Sequence, residues 1–182
     1  MVFRNFGAAM RVSLVPMLLL VGLILGLASQ GLLMNPEDLR SSRPPWFAML
    51  LEILAYVVVS LWIAVAWHRF ILLQENPGVV PRMHPDRMLG YFGYGILIFL
   101  IVIIPAMVLS FVVGGILFGG LGPSSFTAFI AGIAIALPLA ILGYRLSAML
   151  PGVATGADVS IGTGWNATSG HSSAIAVLAI VS

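Results

Sequence analysis

The stretch from Trp46 to Gly78, WFAMLLEILAYVVVSLWIAVAWHRFILLQENPG, constrains the fold more than any other part of the chain. From Trp46 to Ala66 nearly every residue is apolar, and Glu52 is the one charge. A run of about 20 such residues is what a helix needs to cross a bilayer. It leads into Trp67, His68 and Arg69, aromatic and cationic types that settle at a membrane–water interface. The stretch predicts a transmembrane helix over 46–70, anchored by Trp46 at one end and by Trp67, His68 and Arg69 at the other, with a single acid inside.

The rest of the chain has the same character. Apolar residues make up 60% and charged residues 8%, against roughly a quarter charged in a soluble domain. In water such a chain would expose too much apolar surface, whereas lipid leaves that surface no need of cover. Eight basic residues, all arginine, are scattered without forming a stripe, which argues against nucleic acid. With no cysteine there is no disulfide, thiol nucleophile or thiolate metal site.

Three further spans are expected. The first covers 12–34, after a short lead-in at 1–11 in which Arg4 and Arg11 alternate with Phe3, Phe6 and Met10. Gly26-Leu27-Ala28 resembles a signal-peptide cleavage site, but the apolar run continues through Met34, so a retained helix is expected. Asn35 to Pro45 (NPEDLRSSRPP) is a polar loop, and Asn76 to Arg87 (NPGVVPRMHPDR) is another whose prolines forbid a continuous helix. The third span covers 89–118, longer than a perpendicular crossing requires, with tilt or a kink at Pro105 absorbing the excess. After the uncharged turn GGLGPSS the fourth span covers 125–144.

Residues 145–171 are small, polar and rich in Gly, Ala and Thr, too interrupted to span. Arg145, Asp158 and Trp165 suit an interfacial segment, with Trp165 a further anchor. The apolar run from Ser172 to Val181 is too short to cross about 30 Å of hydrocarbon, so the expectation is a partial or truncated fifth span. The predicted class is all-α: an integral membrane helical bundle of four full transmembrane helices in one membrane domain over 1–182.

Four alternating spans place Arg4, Arg11, Arg69, Arg82, Arg87 and Arg145 on one side. Arg40 and Arg43, offset by Glu37 and Asp38, lie on the other. The arginine-rich side should be cytoplasmic, with the N-terminus inside.

Glu52 is a candidate functional acid, because an ionisable group inside a span is costly. It could bind a cation, relay a proton or pair with an arginine; the plainer alternatives are protonation, reach to the headgroups, or a bond to Tyr56 one turn on. No other acid lies in a predicted span, so a relay has no second station. His68, one turn after the small Ala64, could in principle hold a macrocycle, but Trp67 and Arg69 crowd it and no second intramembrane histidine offers a facing ligand. Gly22 with Gly26 and Gly115 with Gly119 form GxxxG steps, and Gly132 belongs to a small-residue ladder with Ala128, Ala136 and Ala140. Such positions let helices approach closely, first within the chain and second between chains. Gly162-Thr163-Gly164 is not a phosphate loop, since no GK[ST] follows. No catalytic, metal or cofactor site is expected.

Two stretches carry a resemblance. Trp67 through Glu75, WHRFILLQE, resembles the WHRF-x-LL-x-E signature of small multi-span membrane proteins from alphaproteobacteria. Arg145 to Pro151, followed by Ser160 to Gly164, Trp165 and Thr168-Ser169-Gly170, resembles their RLSL-x-LP … SW-x-x-T-x-G pattern. The second pattern is loosely similar to the membrane domain of some glycerophosphodiester phosphodiesterases and to YciC-like inner-membrane proteins. Gly164 stands where Ser usually precedes the tryptophan, and His171 where further helix is usual. The resemblance implies an uncharacterised helical bundle of the bacterial inner membrane with no activity to carry over. In the phosphodiesterases the chemistry belongs to a separate soluble barrel.

The expected function is therefore a non-enzymatic, multi-pass accessory, scaffold or assembly subunit, with membrane lipids and other membrane subunits or a homo-oligomer as partners. One alternative is a small transporter or channel component with Glu52 in its path; another is a membrane domain associated with lipid-related enzymes.

Overall fold

The computed structural model describes residues 6–30 and 46–181. Among them the fold is all-α: α1 (Phe6–Ser29), α2 (Trp46–Leu73), α3 (Pro85–Leu121), α4 (Ser125–Ser147), α5 (Leu150–Thr155), α6 (Ile161–Thr168), a 3-10 turn (Ser169–His171) and α7 (Ser172–Val181). Four segments are long and apolar enough to cross a membrane: α1, α2, α3, and α4 continued through α5 to Thr155. The expected class, a multi-span helical membrane protein, is the class observed. The Asn35–Pro45 loop, Arg4 and the end of the expected first span past Gln30 lie outside the described residues.

Boundaries differ from the sequence expectation where a charge or proline sits inside a helix. α1 begins at Phe6, well before residue 12, so Arg11 belongs to its second turn and not to a separate lead-in. α3 begins at Pro85 because proline suits the first helical position, where its missing N–H has no helical acceptor. It then runs unbroken through Pro105 for 37 residues, about 55 Å at 1.5 Å per residue. Within residues 145–171, expected as an interfacial segment, α4 extends to Ser147 and α5, α6 and the 3-10 turn follow, with non-helical breaks at 148–149 and 156–160.

The chain forms two compact units, residues 1–89 and 90–182. In the first, α1 lies against α2. Val12, Pro16 and Leu27 of α1 and Ala48, Val59, Trp62 and Val65 of α2 are buried. Val12 and Pro16 stand one turn apart, as do Val59 and Trp62 within their stripe, so the contact uses one face of each helix. The remaining faces are apolar and exposed, as expected of helices that meet lipid or other membrane helices.

In the second unit α6 and α7 fold back on α4. Three local devices set that course. Ser124 caps α4 by accepting from the Thr127 amide at 3.1 Å. Gly156 ends α5 at φ 87°, a left-handed conformation that favours glycine. Ser160 and Thr163 then form a reciprocal capping box that starts α6. Tyr94 of α3 donates to the Val159 carbonyl at 2.8 Å, fixing the turn between α5 and α6 to the start of the long helix.

Candidate functional site

The polar groups of the first unit gather where α2 stops. α2 ends at Leu73, and Gln74 takes a left-handed conformation, φ 54°, which an L side chain rarely adopts. Its side-chain amide donates to the Ile71 carbonyl at 3.0 Å, satisfying one of the acceptors that a helix end leaves open. This reversal turns Glu75 back toward the helix, so that Arg69 Nε meets Glu75 Oε2 at 2.7 Å across six residues of sequence. Asp86, in the first turn of α3, lies 3.0 Å from its own neighbour Arg87. His84 Nε2 approaches the other Glu75 oxygen at 3.7 Å.

The loop that follows is folded down along α2. Trp62, about three turns before the helix end, donates from Nε1 to the Pro81 carbonyl at 3.2 Å, and Pro77 and Pro81 are buried. Asn76 Oδ1 accepts from the Gly78 amide in a tight Asx turn, with Gly78 at φ 62°. Ala66, Arg69, Glu75, Asn76, Pro81 and His84 help to line a cavity of about 10 Å³, at the lower limit for one water. It is too small for a substrate.

The WHRFILLQE stretch is thus a helix stop: Arg69 and Glu75 form its clasp, and the Trp67 and Phe70 rings pack 5.8 Å apart. Trp62, Gln74, Pro81 and His84 complete it. Trp62 and Gln74 carried no reading of their own, because an apolar run hides one and a fixed helix end is needed to see the other.

The second cluster sits where α4 ends. The Arg145 guanidinium lies 4.7 Å over the Trp165 ring, and Nη2 donates to Ser172 Oγ. Its Nε is buried with no hydrogen-bond partner among the described residues. Gly164 explains the close approach of α6: a Cβ there would meet the Arg145 and Leu146 carbonyl oxygens at 3.2 and 3.3 Å. Gly152 is tighter still, since a Cβ at that position would stand 2.6 Å from Val159 Cγ1. The RLSAMLPG and SIGTGW stretches are therefore two halves of one packing contact, with Gly164 at its closest approach to the end of α4.

Other sequence candidates stay apart. Glu52 is partly buried on α2 with no hydrogen bond or ion pair among the described residues, and the bond to Tyr56 is not made. Trp46 and Trp165 are both exposed. Among the described residues, a Cβ at Gly22, Gly26, Gly115, Gly119 or Gly132 would meet no neighbouring atom within 4 Å, which leaves these positions open to another helix, whereas Gly152 and Gly164 make tight contacts within the chain. No three His, Asp or Glu side chains converge among the described residues. No family model, curated protein or solved structure matches the chain.

Proposed function

We propose that this chain is a non-enzymatic subunit of a bacterial inner membrane: an accessory, scaffold or assembly component held in a larger complex or a homo-oligomer, with its N-terminus cytoplasmic. The observation that carries the reading is α3. It is the most apolar of the four spans, and Met88 is its one buried residue. Phe99, Ile104, Met107, Phe111 and Ile116 are all exposed. A helix apolar on every side is covered by lipid or by other membrane helices, and the Gly115–Gly119 step leaves room for a close neighbour.

Affinity purification in mild detergent tests it. A stoichiometric partner or a defined oligomer, lost on Gly115→Leu, supports the subunit; a monomer in every mild detergent and in native membranes after cross-linking overturns it. Reporter fusions at Ser42 and Val80 test the orientation, with cytoplasmic activity expected at Val80 and periplasmic activity at Ser42.

One observation favours a transporter or channel component as second reading: Glu52 has no partner among the described residues within an apolar helix. Glu52→Gln discriminates the two. The subunit reading expects unchanged assembly, whereas transport expects lost proton or cation flux in proteoliposomes with assembly intact.

A further inference from the structure

The loop tucked against α2 leaves a groove of about 430 Å³ beside α1, within the size range of small-molecule sites. Met10, Leu14 and Val15 of α1 form one wall and Gly78 and Val79 the other, with Arg11 and Asn76 as the polar groups. Arg11 is exposed and has no ion pair or hydrogen bond among the described residues. Asn76 uses its carbonyl oxygen in the turn, which leaves its amide N–H groups as donors. Val79, 83% exposed in a loop otherwise polar at both ends, is held in place by the Asx turn and the left-handed Gly78. An apolar trough with an uncommitted cation and an amide donor at its edge fits an amphiphile: a negative head joined to a hydrocarbon chain. A free anion would leave the walls unused, and an uncharged apolar ligand would leave Arg11 unmatched.

We propose that this groove binds one anionic phospholipid, its phosphate at Arg11 and the Asn76 amide and an acyl chain along Leu14, Val15 and Val79. Basic pockets beside membrane helices are a general means of selecting such headgroups. The inference rests on the membrane-spanning reading and adds to it a specific site.

Native mass spectrometry of the full chain in detergent, titrated with phosphatidylglycerol and with phosphatidylcholine of equal chain length, tests it. Phosphatidylglycerol should bind with 1:1 stoichiometry and a preference of about tenfold. Arg11→Gln should lower its affinity about fivefold, the effect of one arginine at a membrane surface, and leave phosphatidylcholine unchanged. Leu14→Trp, which fills the trough, should weaken both lipids; should that variant fail to fold, Val79→Trp makes the same test from the exposed loop. Arg87→Gln, outside the groove, should change neither by more than about twofold. Equal binding of the two lipids, equal losses from Arg11→Gln and Arg87→Gln, or filling of the groove by a second copy would each overturn the site. Recovery of the chain in the soluble fraction without detergent would instead overturn the membrane reading itself.

Discussion

The ends of α2 and α4 face the same problem and resolve it differently. Each is an apolar helix with an arginine near its last turn and carbonyls left without helical partners. At the α2 end, Arg69 finds a carboxylate six residues on, and a non-glycine residue in a left-handed conformation delivers it. At the α4 end, Arg145 finds no acid among the described residues; it lies on an indole face and reaches one hydroxyl, with a buried nitrogen left over. The first end is fastened by charge and hydrogen bonds, the second by close packing that a single Cβ would disturb. Charge neutralisation should therefore matter at one end and added volume at the other.

The largest effect is expected at the packed end. Gly164→Ser puts a Cβ against two carbonyl oxygens that helix geometry holds in place, and overpacking of this kind costs about 1–3 kcal/mol. Thermal unfolding in detergent should show a clear fall in Tm. An unchanged Tm would mean that α6 can slide away from α4 and that packing does not fasten this end.

Next comes the buried donor of the tucked loop. Trp62→Phe keeps an aromatic ring in place but leaves the Pro81 carbonyl without its N–H, at about 1–2 kcal/mol. Protease cleavage within residues 76–84 should become faster while α1 and α2 remain intact. Equal cleavage in both proteins would show that Pro77 and Pro81 hold the loop by burial alone.

The ion pair should contribute somewhat less. Arg69 and Glu75 are 17% and 27% exposed, so the pair lies between surface pairs, which contribute little, and fully buried ones. Glu75→Gln should lower stability by about 1 kcal/mol. The loss should shrink at high salt, whereas the Gly164→Ser loss should not. A double-mutant cycle with Arg69→Gln isolates the coupling, and additive losses would dismiss the clasp.

The smallest change probes Gln74. Glycine relieves the left-handed strain but removes the side-chain bond to Ile71 and loosens the unfolded chain. These oppose one another, and Gln74→Gly should shift stability by no more than about 0.5 kcal/mol. A Tm rise equivalent to more than about 1 kcal/mol would show that strain outweighs the cap.

Much of the fold was legible in the sequence because hydropathy is a local property. Runs of apolar residues marked the four spans, and prolines 77 and 81 marked the break after α2. Helix limits were less legible, since Phe6 to Arg11 and residues 145–171 contain the glycines, arginines and serines that single-sequence reading assigns to boundaries. Glycine spacing pointed to Gly22, Gly26, Gly115, Gly119 and Gly132, yet among the described residues the tight contacts fell to Gly152, whose step to Gly156 lies outside the long apolar runs, and to Gly164, which lies in no GxxxG step. A glycine matters where another backbone arrives, and its own neighbours in sequence do not say where that is.

Composition and the order of apolar runs determined by themselves that this chain is helical, where its long helices lie and that their surfaces suit lipid. The free energy of moving an apolar run out of water depends on that run alone. Only the tertiary structure decided that Glu75 turns back onto Arg69, that Trp62 holds the returning loop, and that Arg145 rests on Trp165. Those choices depend on distances of a few ångströms between groups brought together by turns. A hydrogen bond or a packed methyl is gained or lost over such distances, and hydropathy carries no record of them.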